Sequence, residues 1–197
     1  LPGLLFLDTT GHAAFNNLRK RGGNLADIAI LVIDVNEGIK PQTVECFHIL
    51  KQYKTPFVIA LNKIDALPGW RTGKGKLLDI INSQPQQIQE LLDERLYLLV
   101  GRLFEHGFQA ERFDRITEYT AQIAIVPTSA KSGEGIPELL MMITGLAQKY
   151  LAQKLQSNLD DPAKGTVLEV KEEKGLGTTL DVIIYDGSIK QNDTIVI

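Results

Sequence analysis

Pro56-Phe57-Val58-Ile59-Ala60-Leu61-Asn62-Lys63-Ile64-Asp65 sets an unbroken apolar run against an abrupt polar end. An apolar run without polar alternation is what a strand buried on both faces requires, and such strands belong to parallel sheets covered by helices. The polar end then falls at the strand's C-terminus, the edge at which open parallel sheets bind ligands. There the Asn62 amide can bond the O6/N7 edge of a guanine base. Asp65 can accept the N1 hydrogen and the exocyclic amino hydrogens together, a charge-assisted pair that adenine does not offer. A plain strand end with turn residues would use the same four letters, so NKID alone leaves the two readings level.

The flanking sequence repeats the pattern. Upstream, Ile28 to Val35 (IAILVIDV) is a second apolar strand, closed by Asn36-Glu37-Gly38. Pro41 then opens a helix whose Val44, Phe47, Ile49 and Leu50 fall mainly on one face; His48 on it reads as a surface histidine. Further upstream, Leu4–Leu7 is a short apolar run consistent with a strand buried on both faces, and it ends in Asp8-Thr9-Thr10-Gly11-His12. Phe15, Leu18 and the triplet Arg19-Lys20-Arg21 before Gly22-Gly23 read as a short helix ended by glycine. Downstream, a loop rich in Gly, Pro and Lys (68–75, carrying Trp70) precedes mostly helical sequence to about Tyr119. In it, Leu77 to Ile81 and Ile88 to Phe104 show three- and four-residue apolar spacing, with Gly107 as cap. Ile123 to Val126 is the next strand, followed by Thr128-Ser129-Ala130-Lys131. A long amphipathic helix runs from Ile136 to about Leu155, with Met141 and Met142 filling core gaps.

Past a linker at 156–164 the apolar period switches to two. Thr166 to Val170, Thr178 to Tyr185 and Asp193 to Ile197 look like strands of a new antiparallel domain. Three short strands make a poor core, so the chain is expected to be a fragment that stops inside that domain. The expected organisation is therefore α/β with a mostly parallel sheet over 1–155, then a second, β domain from 165 to 197.

Composition narrows the function classes. An apolar fraction of 44% with 23% charged residues is ordinary for a soluble globular protein. The net charge of −3 gives no global basic field, so nucleic-acid contacts would need local patches. Cys46 is the only cysteine, which excludes an internal disulfide and any cysteine-rich metal cluster. No run is long enough to span a bilayer and no signal peptide opens the chain, so a cytoplasmic location is expected.

Asp8, Asn62 and Ser129 each follow an apolar strand directly. Each alone fits a turn or an N-cap; together and in this order they are a specific combination. DTTGH, NKID and SAK resemble the third, fourth and fifth nucleotide motifs of translational GTPases. The stretch RKRGGNLADIAILVIDVNEGIKPQT resembles translation initiation factor 2/5B in particular, and the Trp70 loop with its helical insertion is similar to the archaeal and eukaryotic branch.

The resemblance implies a P-loop GTPase-type fold followed by the start of a β-barrel. It also implies GTP/GDP and Mg²⁺ as ligands, and a role with initiator tRNA on the ribosome in subunit joining. Carried over by residue, it makes Asp8 a Mg²⁺ ligand through water, Gly11 the γ-phosphate sensor and His12 the residue that positions the attacking water. Asn62 and Asp65 would read guanine while the Lys63 stem packs along the base. Ser129 would brace Asp65, the Ala130 N–H would bond O6, and the Lys131 stem would cover the other face.

Two departures stand out. The family pattern is DTPGH, and Thr10 replaces the proline that fixes φ ahead of the sensing glycine. Thr10 would also suit a protein-splicing junction, which leaves Cys, Ser or Thr behind. No GxxxxGK[ST] loop occurs in the 197 residues, and in the family's sheet the strand bearing it lies between Leu4–Leu7 and Ile28–Val35. Two other functions remain open at this level: a ribosome- or RNA-binding module that has lost hydrolysis, and an elongation-type translational GTPase.

Overall fold

The computed structural model describes residues 3–8, 26–118, 121–151 and 160–196. They fall into two compact units. Among the described residues, one holds those from 26 to 149, and the other joins 3–8 to 150–151 and 160–196.

The first unit is built on a four-stranded sheet of β1 (Ala29–Asp34), β2 (Phe57–Asn62), β3 (Gln109–Arg112) and β4 (Gln122–Pro127), in the order β1-β2-β4-β3. Every pair is parallel. The uninterrupted apolar run of β2 is explained by its central place, since Val58, Ile59, Ala60 and Leu61 are all buried. Helix α1 (Pro41–Tyr53) connects β1 to β2 and buries Phe47 and Leu50. Its start matches the proline signal, and the Lys40 N–H is held by Thr43 Oγ1 at 3.2 Å.

Between β2 and β3 come α2 (Leu77–Asn82) and α3 (Gln86–Glu105). Leu92, Leu96, Leu99 and Leu103 form the buried stripe of α3, at the spacing the sequence announces. Gly107 (φ +81°) ends it in the left-handed conformation. Just beyond, Phe108 stacks edge-on against Phe57 at 5.4 Å and lies 5.5 Å from Phe47, locking the end of α3 to β2 and α1. Helix α4 (Ile136–Leu151) follows β4.

Strand β3 departs from the helical expectation for the insertion. Its sequence, QAER, lacks an apolar alternation because one of its two inward residues is charged: Ala110 and Arg112 are buried. Arg112, 6% exposed, is satisfied by Asp114 (2.6 Å) and Asp93 (3.2 Å). Met141 also differs from its expected core role, being exposed on α4.

Leu4–Leu7 is not a strand. The segment is irregular and exposed, Leu5 by 74%, and it joins neither sheet. An extended segment becomes a strand only with a ladder partner, and none exists for it among the described residues. The outer edge of β1 is likewise unpaired among them, and Val32 is 60% exposed although the strand is apolar almost throughout.

The second unit contains the antiparallel pair β5 (Lys164–Glu173) and β6 (Gly177–Asp186). Gly175 (φ +96°) and Gly177 (φ +78°) flank its turn. The expected strand at Asp193–Ile197 does not form over its described part, 193–196. A turn instead precedes it, with Asn192 at φ +75° and the Lys190 N–H on Asp193 Oδ2 at 2.7 Å.

Candidate guanine site

Asn62 ends β2 and pairs in register with Asp34 at the end of β1. The ladder then passes to the loop after β4. The Thr128 N–H donates to Leu61 O at 2.8 Å and the Ile64 N–H donates to Thr128 O at 3.2 Å. These two bonds bring the NKID and SAK segments side by side.

The side chains follow from that juxtaposition. Buried Ser129 donates its hydroxyl to Asp65 Oδ1 at 2.6 Å while accepting the Ser132 N–H at 3.1 Å. With one lone pair of Oγ occupied by Ser132, the hydroxyl proton is directed at Asp65. The Ala130 N–H donates to Asn62 Oδ1 at 3.0 Å. That bond fixes the orientation of the amide, so Nδ2 and its two hydrogens face away from the Ala130 backbone. The expectation had the Ala130 N–H free for a base oxygen; here it meets Asn62 first.

Lys63 adopts φ +67° and ψ +35°, a left-handed conformation rare for a residue with a side chain. Its ammonium lies 2.8 Å from Asp34 Oδ2. Asp34 Oδ1 also accepts the N–H groups of Asn36 (2.8 Å) and Glu37 (3.3 Å). Burial pushes the Asp34 carboxyl up, but Lys63 and these N–H groups outweigh it and hold the carboxyl below its ordinary value. The Asp34 bond raises the Lys63 ammonium in turn. A cleft of about 250 Å³ opens here, lined by residues that include Asp34, Gly38, Lys40, Thr43, Asn62 and Lys63.

The loop that carries Ser129 and Ala130 is closed tightly. The Gly133 N–H returns to Ser129 O at 2.8 Å, and the Ser129 N–H bonds Glu134 O at 2.9 Å. Gly135 (φ +76°) is required there, because a Cβ would stand 2.0 Å from Pro127 O.

The structure thus brings Asn62, Lys63, Asp65, Ser129 and Ala130 together, with exposed Lys131 next in the loop. Asp8 is exposed and belongs to the other unit. Gly11 and His12, with Thr10 and the basic triplet, lie outside the described residues. Among those described, no three His, Cys, Asp or Glu side chains converge as metal ligands. Sequence reading missed two participants, Asp34 and Glu134. One is the final letter of an apolar strand and the other sits in a glycine turn, and neither position carries a signal by itself.

A parallel α/β sheet with an amide and a braced carboxylate at adjoining strand ends defines a class, that of guanine-nucleotide-binding domains. The chain belongs to the elongation factor Tu GTP-binding domain family, whose model matches residues 2–149. It is 57% identical over 198 residues to the probable translation initiation factor IF-2 of Methanopyrus kandleri, covering 100% of this chain and 33% of the relative. The Thermococcus sibiricus protein of the same name is 56% identical with the same coverage. The chain thus spans about a third of the length of these relatives. Among solved structures, GDP-bound aIF5B from Aeropyrum pernix superposes with a TM-score of 0.88 at 52% identity, over 94% of this chain and 31% of that one. Elongation factor SelB from Methanococcus maripaludis shares the fold, with a TM-score of 0.60 at 24% identity over 95% of this chain and 34% of that one.

Proposed function

We propose that the chain is the base-reading part of a GTP-hydrolysing translation initiation factor, which acts in the cytoplasm on the ribosome to promote subunit joining and initiator tRNA placement. The observation that carries the reading is the Ser129–Asp65 brace beside the Asn62–Ala130 bond. The relatives named IF-2 and the GDP-bound aIF5B neighbour support it. No helix among the described residues is long and apolar enough to cross a membrane.

Asp65 meets the base through both carboxylate oxygens. Oδ1 retains a lone pair after accepting from Ser129, so the brace and the base do not compete. Asn62 Nδ2 donates to the O6/N7 edge, and the Ala130 N–H, already pointing into the site, shares itself between Asn62 and O6. The Lys63 and Lys131 stems cover the two faces of the ring.

For hydrolysis, His12 positions the attacking water and stabilises developing charge, while the Gly11 N–H senses the γ-phosphate. Mg²⁺ takes oxygen donors and keeps several waters, which a single exposed carboxylate such as Asp8 fits through a water. When bound, the ion neutralises charge on the phosphate oxygens.

Nucleotide titration of the full-length gene product tests the base assignment. Asp65→Asn should weaken GTP by about 1.5–3 kcal/mol, the worth of a charged hydrogen bond, and favour xanthosine triphosphate. Unchanged GTP affinity would remove Asp65 from the site. His12→Ala should slow phosphate release while binding holds, the mark of an interaction made mainly in the transition state. Lost binding with unchanged turnover per bound nucleotide would place His12 elsewhere.

A further inference from the structure

Glu134 lies between two left-handed glycines and is 4% exposed. A carboxylate taken that far from water destabilises a fold unless donors meet its oxygens. The Gly73 N–H meets Oε1 at 2.9 Å. The Ser132 hydroxyl and the Trp70 indole N–H meet Oε2 at 2.6 and 3.4 Å. The backbone of the same residue accepts the Ser129 N–H, and Ser129 braces Asp65. One side chain therefore ties the Trp70–Gly73 segment to the loop that builds the base pocket.

That segment is pinned from its other side as well. Gln84, also buried, accepts the Arg71 N–H at 2.9 Å and donates to Arg71 O at 2.7 Å. Helix α2, the segment and the base-reading loop thus form one chain of bonds with Glu134 as the link. The outer surface of the segment is open, since 71–76 is exposed throughout and carries Arg71, Lys74 and Lys76.

We propose that Glu134 is a positioning residue for guanine recognition, holding the 128–132 loop through the Trp70–Gly73 segment and coupling that exposed segment to nucleotide release. It does not touch the base. It keeps Ser129 aimed at Asp65 and the Ala130 N–H aimed at Asn62. A partner that draws Trp70 and Gly73 away from Glu134 would loosen both, whereas one that clamps the segment would slow release; either acts only through its different contacts with the two states. The inference rests on the guanine reading of the site.

The test is the release rate of a fluorescent GDP analogue from the full-length gene product, run beside amide hydrogen exchange. Glu134→Gln sets an NH₂ donor against donors, and Ser132→Ala deletes one bond with little loss of packing. Release should quicken by about 3–10-fold in the first and about 2–4-fold in the second, the scale of single hydrogen bonds. Faster exchange should be confined to 70–73 and 128–132.

A merely structural residue would give a lower melting midpoint and faster exchange across the sheet, with release unchanged. That result overturns the proposal. If Glu134→Gln does not fold, Ser132→Ala and Trp70→Phe carry the test, and wild-type release in both overturns it equally. Asp65→Asn separates the two levels. Should it also release GDP at the wild-type rate, the guanine reading has failed; should it alone accelerate release, only the coupling has.

Discussion

Lys63 holds a backbone conformation that costs an L-residue roughly 1–2 kcal/mol, and its ammonium sits on Asp34 at 2.8 Å. With the lysine side chain 60% exposed, such a pair adds little stability in water, and its use is to fix the direction of the stem. The sign of its pH dependence follows from the two groups. Asp34 is held below its ordinary 3.8, so its contribution is present above that value and is lost as the pH falls through the lowered one. Lys63 is held above its ordinary 10.5, so its contribution is present below that value and is lost as the pH rises through the raised one. Asp34→Asn keeps the Oδ1 acceptor for Asn36 and Glu37 but removes the anion. It should flatten the acid loss of stability below about pH 4, read as urea midpoints against pH. An unaltered acid limb would assign that loss to other carboxylates. Gly135→Ala makes a harsher demand, since the new Cβ meets Pro127 O in a left-handed turn. It should cost at least about 2 kcal/mol by thermal melting, against a few tenths for a surface change.

Among elements, β2 and α3 are legible and β3 is not, and the reason is physical. The core of β2 is apolar side chains alone, and α3 repeats leucine at 92, 96, 99 and 103, so hydrophobic period and structure coincide. In β3 an arginine occupies an inward position and is made tolerable by Asp114, two residues on, and by Asp93 on α3. No apolar period announces a strand whose inward residue is charged. Arg112→Ala should therefore cost about 3 kcal/mol, because it takes the guanidinium from Asp114, while Asp93 keeps Arg115 at 3.0 Å. Leu96→Ala should cost a comparable 2–5 kcal/mol by a different route, the cavity left in α3. A compensating substitution separates the mechanisms: Asp114→Asn should recover part of the Arg112→Ala loss and none of the Leu96→Ala loss. The candidate guanine site divides in the same way. Asn62, Asp65 and Ser129 stand at strand ends and could be read from the sequence. Asp34 and Glu134 act on them from positions that look like an ordinary strand residue and an ordinary turn.

At the scale of the molecule, the residues proposed to read the base lie within the unit of residues 26–149, and no GxxxxGK[ST] loop occurs anywhere in the 197 residues. The 197-residue chain by itself should release phosphate from GTP at the background rate while the full-length gene product exceeds it, which a phosphate assay on both would decide. Activity in the chain alone would require a phosphate site built without a GxxxxGK[ST] loop. Among the described residues the outer flank of β1 has no ladder partner, which bears on the same chain in solution. A row of unanswered N–H and C=O groups beside apolar side chains is a template for another copy of itself. Two copies joined flank to flank each lose that free edge, so this chain should pair into dimers as concentration rises, and Val32→Lys should keep it monomeric in the ultracentrifuge.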